Sequence, residues 1–381
     1  MGYYILNTVF EKKELIKLHK YNNAVILPRK EVKDGPMWGL GGVCDENNDF
    51  VKESFYDGGW ATHGGKYEWD TNSEIRIEKQ VIYVGLLCVN HWGHFIIDSI
   101  TRFWGILEVK KSISDFNIGY IGETEIGGNY LHLLELLGVQ KEQLIRITKP
   151  TRCSEVIVPG QAFKSCEWYF DEHVKMFDYI VSIALENNEK FEELKQIKKV
   201  YFTRRRLGKA VSDEFGEEYI EKCFTQNGYM AISPELLSLE EQIYIWNNAD
   251  EIVCINGTIP LNVIFSRKRD LKVIVLNKTS IVHENPYILF EMRGVEAKYI
   301  NIYREPFKNY PKSLGEGPYL ITEYSAINEL CKEREFNLPM SKEDTDKYIK
   351  EQQRKYIFAV IGIKRRYLKL KYKLYLLLKG H

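Results

Sequence analysis

Apolar and polar residues change period along this chain at short intervals, and each change marks an element. The run VIYVGLL (residues 81–87) is continuously apolar over strand length. In the following NHWGHFIIDSITRFWGIL, residues Trp92, Phe95, Ile96, Ser99, Phe103 and Leu107 recur at helical spacing. These patterns predict a buried strand leading into a helix whose apolar stripe faces a core, with His91, His94, Asp98 and Arg102 on the remaining side. Alternation continues through FNIGYIG, YLHLLELLG, LIRI, SEVIVPG and the helical DEHVKMFDYIVSIALE. A second series opens with KVYF (residues 199–202), a basic loop and a helix, then continues through a strand, the helical SLEEQIYIWNN, the strand EIVCI, the turn NGT, a helix expected near Pro260, LKVIVL and KYINIY. Alternating strands and helices are the pattern of open parallel sheets covered by crossover helices, so the expected fold class is α/β.

The two series suggest two domains, residues 1–195 and 196–320, divided within NNEKFEELKQIKK (187–199), where apolar content falls and charges of both signs take over. At 381 residues and 44% hydrophobic content, the chain is long enough to bury both cores. Residues 321–381 are expected to be helical, with a helix over about 321–335 crossing back to the first domain and a tail beyond it. Residues 1–80 alternate short apolar runs with glycine-rich turns such as DGPMWGLGG and DGGWATHGGKYEWD. These place Trp38, Trp60, His63 and Trp69 beside glycines, either as a stacking surface for a sugar ring or as caps on a sheet end.

Charge is balanced overall, with 53 basic and 53 acidic residues, but not locally. Residues 355–381 hold eight Lys or Arg and no acid, mixed with Leu, Ile, Tyr and Phe, which predicts a basic amphipathic helix lying on an anionic membrane surface; a helix packed on the first domain is the alternative. Nucleic acid is not expected, since no nucleic-acid-binding fold accompanies the charge. The longest uncharged stretch of the first half, residues 81–97, is short for a span and contains Asn90, His91 and His94, so no transmembrane helix and no signal peptide are expected. Seven scattered cysteines without a C-x-x-C pair fit reduced thiols in the cytoplasm. No His, Cys and carboxylate cluster has metal-ligand spacing, and the one D-x-D, Asp344 and Asp346, sits in a charged late segment, so no metal and no cofactor are expected.

Three groups of residues carry candidate chemistry. Arg204, Arg205 and Arg206, with Lys209, follow a strand, where guanidinium forks could neutralise phosphates; a solvated charge run paired with Asp213, Glu214, Glu217 and Glu218 is the alternative. Asn256, Gly257 and Thr258 follow the next long strand, offering close backbone approach, a hydroxyl and a helix amino terminus, though an ordinary strand-to-helix turn also favours Asn-Gly. His94 and Asp98, four residues apart on a helix, can hydrogen-bond, so that the carboxylate orients an imidazole acting as general base; a structural pair is the alternative. In open α/β sheets ligands sit at the carboxyl ends of strands, where both loops lie.

Together NHWGHFIIDSITRFW, VYFTRRRLGKAVSDE and GYMAISPELLSLEEQIYIWNNADEIVCINGTIPLNVIF resemble glycosyltransferase family 61, over about residues 85–280, including bacterial members of capsular polysaccharide biosynthesis type. The resemblance implies a GT-B-like fold of two facing Rossmann-like domains and inverting transfer of a sugar from a nucleotide-sugar donor. In the family's motifs Thr203 and Arg204 stand at a serine-arginine, Lys209 near a later basic residue, Pro234, Glu235 and Ser238 to Gln242 at matching positions, and Asn262 at a later asparagine. Asn256, Gly257 and Thr258 stand where the family commonly has His-Gly-Ala, and an asparagine is neither acid nor cation. The expected roles are His94 as base supported by Asp98, with donor binding by Arg204, Arg205, Lys209, Glu235, Asn256, Gly257, Thr258 and Asn262. The expected acceptor is a glycan or lipid-linked molecule at the inner face of the plasma membrane. Two alternatives stay open: a catalytically silent donor-binding subunit of a polysaccharide assembly complex, and a GT-B-like nucleotide-sugar epimerase.

Overall fold

Apolar strands that alternate with helices must bury both faces, and two six-stranded sheets result. The computed structural model describes residues 3–5, 10–186, 188–208, 214–281, 283–306 and 310–378; for residues 3–5, 188, 363–365, 367–369 and 371–378 it describes the backbone alone. The first sheet has the order Leu40–Cys44, Leu18–Lys30, Thr151–Pro159, Ile75–Leu86, Asn117–Ile121, Leu144–Arg146. Its last four strands are parallel, and the first two fold back as an antiparallel hairpin. Alternation along VIYV divides two cores: Ile82 and Val84 face the helices, while Val81 and Tyr83 pack with Ala24, Ile26, Val156 and Val158.

The second sheet has the order Tyr3–Ile5, Glu296–Asn301, Lys272–Asn277, Glu251–Ile255, Lys199–Phe202, Met230–Ile232, parallel throughout except for Tyr3–Ile5. The chain's first strand therefore lies on the second sheet, antiparallel to Glu296–Asn301. Counted along the chain, the five parallel strands stand in the order 2-1-3-4-5, a doubly wound arrangement. The crossover helices take opposite faces: Tyr219, Ile220 and Phe224 of Glu217–Thr225 pack with Tyr201 and Val253, and Leu239, Ile243 and Trp246 of Leu239–Asn248 with Val200 and Ile252. Winding reverses between Lys199–Phe202 and Glu251–Ile255, opening a crevice at their carboxyl ends.

The helix Asp171–Ala184 ties the first half to the second. Its Phe177 meets Phe265 edge-on at 5.2 Å, and Asp178 receives Arg293 at 2.6 Å. The late helices do not cross back as expected. Ala326, Ile327, Leu330 and Cys331 of Ser325–Glu333 form an apolar stripe that joins Tyr219, Ile220 and Cys223, so it is the open side of Glu217–Thr225 that accepts them. A continuous helix, Lys342–Leu378, follows. Tyr356 anchors it against Phe215 and Tyr310, and beyond that anchor Phe358 is 75% exposed beside exposed Ile357 and Ile361. The side chains of 371–378 and all of 379–381, part of the expected basic tail, lie outside the described residues. No described helix is long and apolar enough to cross a membrane.

Truncating Phe177, wholly buried where the two halves meet, is expected to cost about 3–5 kcal/mol. Tyr179→Ala on the same helix, at an exposed position, is expected to stay within about 0.5 kcal/mol in urea denaturation.

Candidate functional site

The strand Lys199–Phe202 delivers Thr203 and Arg204 to the crevice. Thr203 is buried and donates its hydroxyl to Glu217 and Glu221 of the following helix, and the Arg204 amide donates to Glu217 Oε1 at 2.8 Å. The Arg204 side chain turns the other way: its Nε donates to both oxygens of Glu214, at 3.1 and 2.9 Å. Lys278, directly after the strand Lys272–Asn277, donates to the same Glu214 at 2.6 Å and lies over the Tyr319 ring at 4.3 Å. Two cations thus share one buried carboxylate, and Arg204 is held on its Nε side with its Nη1 toward Gly257, 3.8 Å from where a Cβ there would stand. Arg205, next in the chain, points to the opposite side of the strand end, where Glu221 at 2.9 Å and Glu218 at 3.7 Å hold it on the helix. Lys209 lies outside the described residues.

The helix expected near Pro260 is a seven-residue 3-10 segment, Ile259–Phe265, so its axial dipole is short. Asn256 differs from expectation in a second way. It is only 1% exposed, and its Nδ2 donates to Asn277 Oδ1 at 2.9 Å, while Asn277 Nδ2 donates to Asn301 Oδ1 at 3.0 Å. Three neighbouring strand ends are joined by this amide ladder, so Asn256 holds the loop from beneath while Gly257 and Thr258 stay half-buried at the surface. Asn262 is occupied at both ends of its amide. It accepts from Trp92 Nε1 at 2.8 Å, a bond between the two halves, and its Nδ2 lies 3.5 Å from Gln242 Oε1.

A cleft of about 500 Å³ separates the halves at this point. Arg204, Glu235, Gln242, Thr258 and Asn262 line one wall, with Trp92, Asn129, Tyr130 and the turn Gly127-Gly128 on the other. Arg205, Asn256 and His94 are not in the lining. Behind the cleft His132 joins the walls, with Nε2 2.7 Å from Glu240 and Nδ1 3.0 Å from Glu135. Burial alone would lower its pKa, but the two carboxylates outweigh that effect and raise it.

On the first-half side the expected continuous helix is broken into turns: an α turn Trp92–His94, a π turn Phe95–Ser99, a 3-10 turn Ile100–Arg102, then the helix Trp104–Lys110. The turn approaches the other half closely at Gly93, where a Cβ would press on the His91 ring at 3.1 Å and touch Leu261 of the other half at 3.4 Å. Of the four residues on the side away from the apolar stripe, His91 is exposed and His94 half-buried, but Asp98 and Arg102 are each 2% exposed. Residues 55–60 cover them. Asp98 Oδ1 accepts from Tyr56 Oη at 2.6 Å and from Trp60 Nε1 at 3.3 Å, and Oδ2 lies 2.8 Å from His94 Nδ1. An ionised carboxylate only accepts, so His94 Nδ1 carries the proton and Nε2 of the neutral ring presents a lone pair. Trp60 stacks on His94 at 5.0 Å, Trp38 meets it edge-on at 6.2 Å, and His91 lies 4.5 Å away. Trp38 and Trp60 are therefore beside the candidate base. His63 and Trp69 are elsewhere: His63 is fully buried, which pushes its pKa down to about 4, and Trp69 donates to Glu74 at 2.8 Å.

Lys278, Tyr56 and Arg102 are the participants that sequence reasoning did not assign; Glu214 entered it only as an ion-pair partner of the basic loop, and the Arg204–Glu214 and Arg205–Glu218 pairs are of the kind that alternative expected. Lys278 carried a usable signal, a cation two residues past the apolar run VIVL. Tyr56 carried none. Among the described residues no three His, Cys, Asp or Glu side chains group as metal ligands.

Residues 92–275 match the family model described as Glycosyltransferase 61. The matched span contains His94, Asp98, Arg204, Glu235 and Asn262, and it supports a glycosyltransferase. No curated protein matches the chain.

Burial, with Glu214 and Glu221 beside it, pushes the Glu217 carboxyl up to about 7 against the opposing Arg204 N–H. The folded value lies above the unfolded one, about 4.3. This group's contribution to stability is thus fully present below the unfolded value and is lost as pH rises through about 7. The melting temperature of Glu217→Gln should gain on that of the parent as pH rises from 4.5 to 8; a difference that does not change with pH would contradict the assignment.

Proposed function

We propose that the chain is an inverting glycosyltransferase that moves a sugar from a nucleotide-sugar donor to a glycan or lipid-linked acceptor, its two sheets acting as the facing Rossmann-like halves of a GT-B arrangement. The observation that carries this reading is Arg204, fixed by Glu214 at the switch point of a doubly wound sheet and aimed over Gly257 into a cleft that both halves line. Arg204, with Lys209 and the Gly257 and Thr258 backbone, would hold the diphosphate; Glu235, exposed at the rim, would accept from a ribose hydroxyl. Arg205 would add positive field from its place on the helix, and Asn256 and Asn262 would act by fixing the loop.

Inverting transfer is a single displacement. The acceptor oxygen bonds to the anomeric carbon, the carbon–oxygen bond to the diphosphate breaks with its electron pair, and the acceptor proton goes to His94 Nε2. Asp98 stabilises the imidazolium that forms. The open face of Trp60, 45% exposed and already stacked on His94, gives an acceptor sugar ring a surface beside that nitrogen. Residues 355–381, with exposed Ile357, Phe358 and Ile361 and the basic run beyond, would rest on the anionic inner face of the plasma membrane, near lipid-linked acceptors of capsule or other cell-surface polysaccharide. The buried Asn256 favours a second reading, a silent donor-binding subunit, because its Nδ2 is committed to the ladder and the side chain gives the cleft neither acid nor cation.

Arg204→Ala is expected to weaken nucleoside diphosphate binding by tenfold or more in calorimetry, from the loss of charge-assisted bonds of about 1.5–3 kcal/mol. His94→Ala and Asp98→Asn should each lower kcat by about 10²- to 10⁴-fold with donor KM little changed. Unaltered turnover in both would remove the base assignment, and nucleotide binding without turnover in the parent protein would favour the silent subunit. Truncation after residue 354 should abolish co-sedimentation with phosphatidylglycerol vesicles, and retained binding would remove the membrane role.

A further inference from the structure

Residues 55–60 precede the span that matches the family, yet side chains of that span hold them at several points. Arg102 donates through Nη2 to the Phe55 carbonyl at 2.7 Å and through Nη1 to the Pro159 carbonyl at 3.0 Å. Gln161 takes both backbone groups of Asp57, accepting from its amide at 3.0 Å and donating to its carbonyl at 2.7 Å. Lys164 closes on the Asp57 carboxylate at 2.8 Å. What these fasteners place is a single hydroxyl, Tyr56 Oη, 2.6 Å from Asp98 Oδ1. That separation is in the range of an O–H donating to a charged oxygen.

We propose that Tyr56, delivered by this strap, is a positioning residue of the proton-transfer apparatus: it holds Asp98 and draws part of its charge, so that Asp98 fixes the His94 tautomer without locking the imidazole in its protonated form. This rests on the reading of His94 as base. Asp98 is wholly enclosed, and its Oδ1 has two donors, Tyr56 and Trp60, while Oδ2 has His94. A carboxylate hydrogen-bonded to other donors is less basic toward the remaining one. Tyr56 keeps its own proton throughout; burial, and the Asp98 charge after it, push its pKa up. In the transfer step the acceptor proton ends on His94 Nε2, and Tyr56 and Trp60 share the compensation of Asp98 that follows.

The ionisable groups around His94 are known on each side: Asp98 on its own turn, His91 before it, and Tyr56 from the strap, with Cys88 close to Asp98 and Asp57 already paired with Lys164. The test is ¹⁵N NMR of the full chain labelled at histidine, with His94 resonances assigned by His94→Gln, in the parent, Tyr56→Phe and Trp60→Phe proteins. The parent should show the Nδ1–H tautomer. In Tyr56→Phe, Asp98 loses its shortest donor and holds the Nδ1 proton more tightly, so the His94 titration midpoint should rise by about half a pH unit or more, with a smaller rise in Trp60→Phe. The acid limb of the kcat/KM profile should move with it. Should Tyr56→Phe fail to fold, Trp60→Phe carries the same test. An unmoved midpoint and tautomer in the folded variants overturn the proposal, even if His94→Ala abolishes turnover and the base assignment stands. Full turnover in His94→Ala removes both.

Discussion

The buried carboxylate of Glu214 is the constraint on which the Arg204 side of the cleft depends. Arg204 and Lys278 both donate to it, and neither Glu214 nor Lys278 has more than a trace of solvent exposure. Removing either cation would leave charge uncompensated in a low-dielectric setting, which is far costlier than losing a surface pair. The arrangement also has a direction. With Nε committed to Glu214, the guanidinium cannot swing away to solvent, so its Nη1 stays over Gly257 at the crevice where the winding of the sheet reverses. Lys278 contributes by neutralising what Arg204 alone would have to, leaving net positive charge facing the cleft.

The first half repeats this logic with a different pair of residues. Asp98, enclosed by Tyr56, Trp60 and the turns of residues 92–102, aims an imidazole just as Glu214 aims a guanidinium. In both halves the carboxylate comes from an element beyond the carboxyl end of a parallel strand, and in both it is held out of water by aromatic or aliphatic cover. The Trp92–Asn262 bond and the His132 bridge to Glu240 join the halves around the cleft.

Much of this was readable in the sequence, and the failures have physical causes. Strand and helix alternation marked the parallel strands of both sheets, because strands buried on both faces must be continuously apolar, whereas Leu18–Lys30 and Leu40–Cys44 of the first sheet fell in the stretch read as turns and short apolar runs. His94 with Asp98, and Arg204 with Gly257 and Thr258, were legible because helical spacing and strand ends fix where such residues can stand. Asp98 and Arg102 read as lying away from the apolar stripe, and the burial they have was not legible, because their cover is the irregular, glycine-rich stretch around Tyr56, which has no periodicity to announce its path. Arg204 and Arg205 are neighbours in sequence, and only the alternation of side chains past the strand end sends one to the cleft and the other to Glu221. Asn256 read as a surface donor, but its partner Asn277 lies on a strand whose pairing the sequence does not declare.

The central claim is that the cleft recognises the diphosphate of a nucleotide donor through Arg204. A ligand that binds only the folded state raises the melting temperature, so the most direct measurement is a thermal-shift comparison of nucleoside diphosphates, the matching monophosphates and nucleosides, in parent and Arg204→Ala proteins. The account predicts that one base series raises the melting temperature, most for the diphosphate, and that Arg204→Ala removes the advantage of the diphosphate over the monophosphate. Equal shifts for mono- and diphosphate, or a diphosphate advantage that survives Arg204→Ala, would contradict it.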